Sequence, residues 1–243
     1  MHFRVLSFDL DGTLVDTAGE IAEAANRAIE EFGVPRRPVA EITRYIGAGT
    51  RELMNKVVAQ ILRERPLRAA QWPMEEVMGR FDHHYELTAG STGKPYPGCD
   101  QALEALRSAG VRLACVTNKE ARFARKVLEA TRLDRHFELL IGGDTLPHKK
   151  PDRAVIEHML HALGARAEET AHVGDSRTDV QTARNAGVKA WAVPYGYNAG
   201  EPIEAAQPDR VFRDIAEVAA YVLNEGPSAD RPAPLNECAA VGR

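Results

Sequence analysis

The chain has 243 residues, 44% of them hydrophobic and 27% charged, with a net charge of −4. That is enough apolar material for a real core, in one large domain or two small ones. It leaves no basic footprint for nucleic acid, and no apolar stretch nears the ~20 residues that cross a bilayer.

A strand opens the chain: the β-rich run from Phe3 to Phe8 lacks the apolar core and cleavage site of a signal peptide. It leads straight into "DLDGTLVD", which crowds Asp9, Asp11 and Asp16 together. From Ala18 the period becomes helical. Ile21, Ala24, Ala25, Ala28, Ile29 and Phe32 recur on one face until Gly33 and Pro35 stop the pattern. The same spacing predicts helices over 50–63 and 74–87, and no strand pattern interrupts 17–88.

After "GKPYPGC" the texture alternates. Helices are predicted over 100–109, 121–130, 153–163 and 178–186, and strands over 111–117, 137–143, 170–175 and 189–193. The strands are near-continuously apolar, as in a parallel sheet covered on both faces. The expectation is an α/β fold: a doubly wound parallel Rossmann-like sheet from residues 1–16 and 89–224, with a helical cap inserted at 17–88. The tail 225–243, rich in Pro, Ala and charge, shows no period and is predicted to be disordered. Cys99, Cys115 and Cys238 are odd in number and form no CxxC pair, which suits a reducing cytoplasm.

In such sheets ligands sit beyond the carboxyl ends of the strands. There the sequence places Asp9 and Asp11, then Thr117 and Asn118, then Asp144, Lys149 and Lys150, then Asp175, Ser176 and Asp179. Each alone is a common turn or cap feature. Their joint placement on one rim is not. Clustered carboxylates without matching His or Cys donors point to Mg2+. A metal beside an aspartate and a lysine suits phosphoryl transfer, and an Asp carboxylate can itself attack phosphorus.

These residues carry a resemblance. "DLDGTLVD" resembles the first motif of the haloacid dehalogenase superfamily, "VTN" its second, "KKPD" its third and "GDSRTD" its fourth, in order, over residues 3–224. The resemblance implies that Asp9 is the nucleophile and a Mg2+ ligand. It implies that Asp11 is the general acid and base, its backbone carbonyl also binding the metal. Thr117 with the Asn118 backbone would hold a phosphate oxygen, and Lys150 would bridge phosphate and nucleophile. Asp175 would be the second Mg2+ carboxylate and Asp179 a supporting acid. One departure is Arg153, where relatives carry a proline.

Asp11 argues against a dehalogenase, because a leaving halide needs no proton. "RYIGAGTREL", "FDHHY" and "IGGDTLPHKKP" are similar to segments of phosphoglycolate phosphatases. The implied reaction is hydrolysis of 2-phosphoglycolate. A sugar-phosphate phosphatase, a β-phosphoglucomutase and a pyrophosphatase are the alternatives. The implied partner is a small phosphoester, with no nucleic acid or membrane, for a monomer or homodimer. Gly47, Gly49 and the helix starting at Thr50 form a corner where Arg51 would bind the substrate carboxylate; the competing reading leaves Arg51 in solvent. Asp16 is expected to cap a helix, and His83, His84, Tyr85, Tyr195 and Tyr197 to pack.

Overall fold

The computed structural model describes residues 3–64 and 72–224. From β1 (Val5–Phe8) the chain passes through a two-residue strand, β2 (Val15–Asp16), into α1 (Ala18–Glu30), α2 (Val39–Thr43), α3 (Thr50–Glu64) and α4 (Met74–Thr88). It returns through β3 (Lys94–Pro95) to α5 (Cys99–Ser108), β4 (Arg112–Val116), α6 (Ala121–Thr131) and β5 (Leu139–Ile141). There follow α7 (Ala154–Ala162), β6 (Thr170–Gly174), α8 (Arg177–Asn185), β7 (Lys189–Ala192), β8 (Arg210–Val211) and α9 (Ile215–Asn224).

Six strands form one sheet in the order β5-β4-β1-β6-β7-β8, and every pairing in it is parallel. The chain winds outward through β4 and β5, then crosses back to build the other half from β6. The order therefore reverses between β1 and β6, which is where a doubly wound sheet opens a crevice.

Both faces of the sheet are buried, so its strands show no in-out alternation. Leu6 and Phe8 pack with Leu103, Val127, Trp191 and Val218 on one side. Val5, Ala114 and Val116 pack with Ile156, Met159, Val180 and Ala183 on the other. The helices between 18 and 88 bury a cluster of their own, in which Ile21, Ala25 and Ile29 of α1 join Leu53, Met54 and Val57 of α3 and Val77, Phe81 and Tyr85 of α4. Phe123 of α6, fully buried, enters that cluster from the other part of the chain. An antiparallel ribbon, Val15 opposite Pro95 and Asp16 opposite Lys94, stands at the neck between the two parts.

Several elements were not legible as a period. α2 has five residues and β2, β3 and β8 two each, too short for any repeat to register. α9 packs Val218, Ala219 and Val222 into the core beside α5, but its dense apolar run carries no clean spacing. The predicted tail lies outside the described residues.

Candidate active site

Register brings the strand tips together. Phe8 pairs with Cys115 on one side and Val173 on the other. The residues just beyond these pairs, Asp9, Thr117 and Asp175, therefore emerge side by side at the β1/β6 reversal. The Asp9 backbone N–H donates to Val173 O at 2.9 Å, which pins the nucleophile candidate to β6.

Lys150 is the hub. Its ammonium is buried, 2.9 Å from Asp9 Oδ1 and 2.6 Å from Asp179 Oδ1. Asp179 is also the third helical residue of α8, where its carboxylate accepts from the Ser176 backbone N–H and hydroxyl. Behind it lies His172, with Nε2 3.3 Å from Asp179 and Nδ1 2.9 Å from the Ser7 hydroxyl. A carboxylate only accepts, so Nε2 carries the proton and Nδ1 accepts from Ser7. Burial by itself would raise Asp179, but Lys150 and His172 hold it well below the usual carboxylate range. Burial also opposes the charge on Lys150, yet Asp179 and Asp9 keep it firmly protonated.

Asp9 and Asp175 are less well compensated. Burial pushes the Asp9 carboxyl up to about 6 against the pull of Lys150, with Asp179 and Asp11 adding to the rise. Burial, then the charges of Asp179 and Asp9, push Asp175 well above its ordinary value. Asp175 keeps two donors, the Thr13 hydroxyl at 2.9 Å and the Tyr197 backbone N–H. Gly12 makes room for it: a Cβ there would lie 2.5 Å from Asp175 Oδ2, at a φ of +86° that side chains rarely adopt.

This donor set fits a hard divalent cation. Among the described residues, Asp9, Asp175 and Asp179 offer carboxylate oxygens within 4.8 Å of one another. Both oxygens of Asp179 are engaged by protein donors, whereas Asp9 Oδ1 is buried with no well-directed hydrogen bond. Asp9 with its unsatisfied oxygen, Asp175 beside it and no soft ligand suit Mg2+, which keeps water and substrate oxygens in its remaining positions.

Asp11 stands apart from that cluster. Its Oδ1 accepts from the Thr17 hydroxyl and from Lys119 Nζ, both at 2.7 Å. Lys119 is buried and was absent from the residues singled out in the sequence. Its only signal there was a cation directly after the Thr117–Asn118 pair. Thr117 is buried at the tip of β4, and the Asn118 amide donates to Gly47 O at 3.1 Å and Lys150 O at 3.0 Å.

A small cavity opens over these groups. Asp9, Asp11, Thr117, Asn118 and Lys119 form its floor, and Ile21, Ile46, Gly47, Gly49, Thr50, Leu53 and Tyr85 its roof. Arg51 is not among the lining residues. Its guanidinium forks onto Glu75 at 2.8 and 2.9 Å, with about half of its side chain (53%) exposed. Asp16 Oδ1 accepts from Ala18 N at 3.2 Å, in the manner of a cap, and also from the Tyr197 hydroxyl.

A family model described as haloacid dehalogenase-like hydrolase matches residues 6–193. The chain belongs to that family. A phosphoglycolate phosphatase of Vibrio cholerae serotype O1 is 37% identical over 220 residues, 90% of this chain and 97% of that protein. One from Thiobacillus denitrificans is 35% identical over 222 residues, 91% of this chain and 96% of that protein. The crystal structure of a predicted phosphoglycolate phosphatase from Haemophilus somnus 129pt superposes with a TM-score of 0.83 at 29% identity, covering 91% of this chain and 98% of that one. CbbY from Rhodobacter sphaeroides, solved with phosphate, shares the fold at a TM-score of 0.74 and 22% identity, covering 89% of this chain and 96% of that one.

Proposed function

We propose that this chain is a magnesium-dependent phosphatase that hydrolyses 2-phosphoglycolate to glycolate and phosphate through an aspartyl-phosphate on Asp9. The observation that carries the chemistry is the contrast between two neighbouring acids. Asp9 Oδ1 faces the Lys150 ammonium at 2.9 Å with no other partner, while the Asp11 carboxylate is taken up by Lys119 and Thr17. The substrate assignment rests on the names of the relatives.

An Asp9 oxygen attacks phosphorus and the P–O ester bond breaks. Asp11 gives its proton to the departing alkoxide, then takes one from the water that attacks the phosphorylated Asp9. Inorganic phosphate leaves and both acids are restored. The Thr117 hydroxyl, the Asn118 backbone N–H and the Lys150 ammonium hold the phosphoryl oxygens throughout. Asp9, Asp175 and the Asp11 carbonyl would hold Mg2+, which supplies positive charge against the transferring group when bound. Asp179, fixed by Ser176 and His172, sets the position of Lys150.

Residues 17–88 act as a cap on the core of 1–16 and 89–224, shutting water out while the phosphoenzyme forms. Among the described residues no helix is long and apolar enough to cross a membrane. Cys99 and Cys115 are buried free thiols, in keeping with a cytoplasmic enzyme.

Asp9→Asn tests the reading. It is expected to abolish hydrolysis of 2-phosphoglycolate and to remove the hydroxylamine-labile phosphate from the trapped protein. Retained turnover, or a phosphorylated residue other than Asp9, would overturn it. Turnover of a hexose phosphate without phosphate release would favour the mutase instead.

A further inference from the structure

Tyr85 sits on α4 with none of its surface exposed, yet it lines the cavity, and its hydroxyl has no hydrogen-bond partner. The ring is pinned. Phe123 lies 4.6 Å and Phe81 5.3 Å away between centroids, and Lys119 Nζ rests 4.9 Å from the ring centre. A buried hydroxyl without a partner is costly, and phenylalanine would fill the same space without that cost. The oxygen is therefore unexplained by packing.

Each acid nearest to it already accepts through one oxygen, while Glu20 Oε1 and Glu120 Oε2 are buried without a partner. Glu20 accepts from the Gly90 and Gly93 backbone N–H groups at 3.0 and 3.1 Å, Glu120 from the Thr50 hydroxyl, and Asp11 from Lys119. Away from the phosphoryl-binding floor, Ile21, Ile46 and Leu53 are apolar, and the Thr50 hydroxyl is given to Glu120. Against them stand two side-chain donors, the Tyr85 hydroxyl and Lys119, whose ammonium has three N–H groups and gives one to Asp11. A buried cation beside a fixed hydroxyl is a seat for an oxyanion.

We propose that Tyr85 is a specificity-determining residue whose hydroxyl, together with the Lys119 ammonium, receives the carboxylate of a small phosphorylated acid. This rests on the phosphoglycolate reading above and names the residues that would enforce it. The seat and the nucleophile share one small cavity, so the acid must carry its carboxylate close to the ester, as a two-carbon substrate does.

The test compares 2-phosphoglycolate with ethyl phosphate, which puts a methyl group in place of the carboxylate. Tyr85→Phe keeps the ring and removes only the oxygen. Its kcat/KM on 2-phosphoglycolate is expected to fall about 10- to 100-fold, the range of one hydrogen bond to a charged group. The fall on ethyl phosphate is expected to stay under about threefold. Thermal unfolding without substrate reports on the fold: the variant is expected to melt no lower than the wild type, because an unsatisfied buried oxygen is gone. Equal losses on both esters, or none on 2-phosphoglycolate, overturn the assignment of Tyr85 and leave the phosphatase reading standing. A wild-type protein that does not turn over 2-phosphoglycolate overturns both.

Discussion

Replacing Lys150 with methionine removes one charge from a site built around it. The side chain is 3% exposed, and its ammonium lies 2.6 Å from Asp179 and 2.9 Å from Asp9. Methionine fills much the same volume, so the change isolates charge from packing. It leaves three buried acids, Asp9, Asp175 and Asp179, with no buried lysine among them. Breaking a buried pair by deleting one partner costs about 3–5 kcal/mol. At roughly 2–4 °C per kcal/mol for a chain of this size, Tm should fall by about 6–20 °C. Differential scanning fluorimetry in EDTA is the assay, since a bound cation would offset part of the loss. A Tm change under about 3 °C would show that Lys150 does not balance these acids. Phosphatase activity is expected to vanish with the same substitution, whatever the metal concentration.

Three further outcomes follow from particular contacts. Arg51→Ala breaks only an exposed pair with Glu75, so stability should change by less than about 1 kcal/mol and kcat/KM on 2-phosphoglycolate by less than about threefold; a tenfold loss absent on ethyl phosphate would return Arg51 to the carboxylate site. Gly12→Ala puts a Cβ 2.5 Å from Asp175 Oδ2 at a φ of +86°, so it should cost about 1–3 kcal/mol and weaken Mg2+ binding by calorimetry; unchanged affinity would separate Asp175 from the metal. Glu20 is held above its ordinary pKa, chiefly by burial and against the pull of Lys119. A carboxyl raised in the folded state stabilises most below its unfolded pKa and loses that contribution as pH rises through the folded value. Glu20→Gln should therefore gain stability relative to wild type as pH rises above the ordinary glutamate value, read from urea melts, and a difference that stays flat with pH would refute this.

The chemistry at the strand tips was legible because it is local to each strand. Asp9, Asp11, Thr117 and Asp175 lie just beyond an apolar run, Lys150 and Asp179 follow in the next loop and helix, and a parallel sheet aligns the ends of its strands whatever the connecting helices do. The helical period of α1, α3 and α4 likewise set which face turns inward, since 3.6-residue spacing is a property of one segment alone.

What the sequence could not decide was which partner each inward face meets. Tyr85 reads as packing, and the structure both packs its ring against Phe123 and leaves its hydroxyl without a hydrogen-bond partner. Lys119 joins Asp11 across 108 positions, and Tyr197 closes on Thr17 and Ala18 across 180 and 179. Arg51 finds Glu75 rather than the cavity. Separations of that size leave no periodic trace, because contact depends on how finished helices and strands are stacked. The strand-end acids were fixed by a local rule; the lysine, the tyrosine and the lining of the cavity were decided only when the helical segment folded back over the sheet.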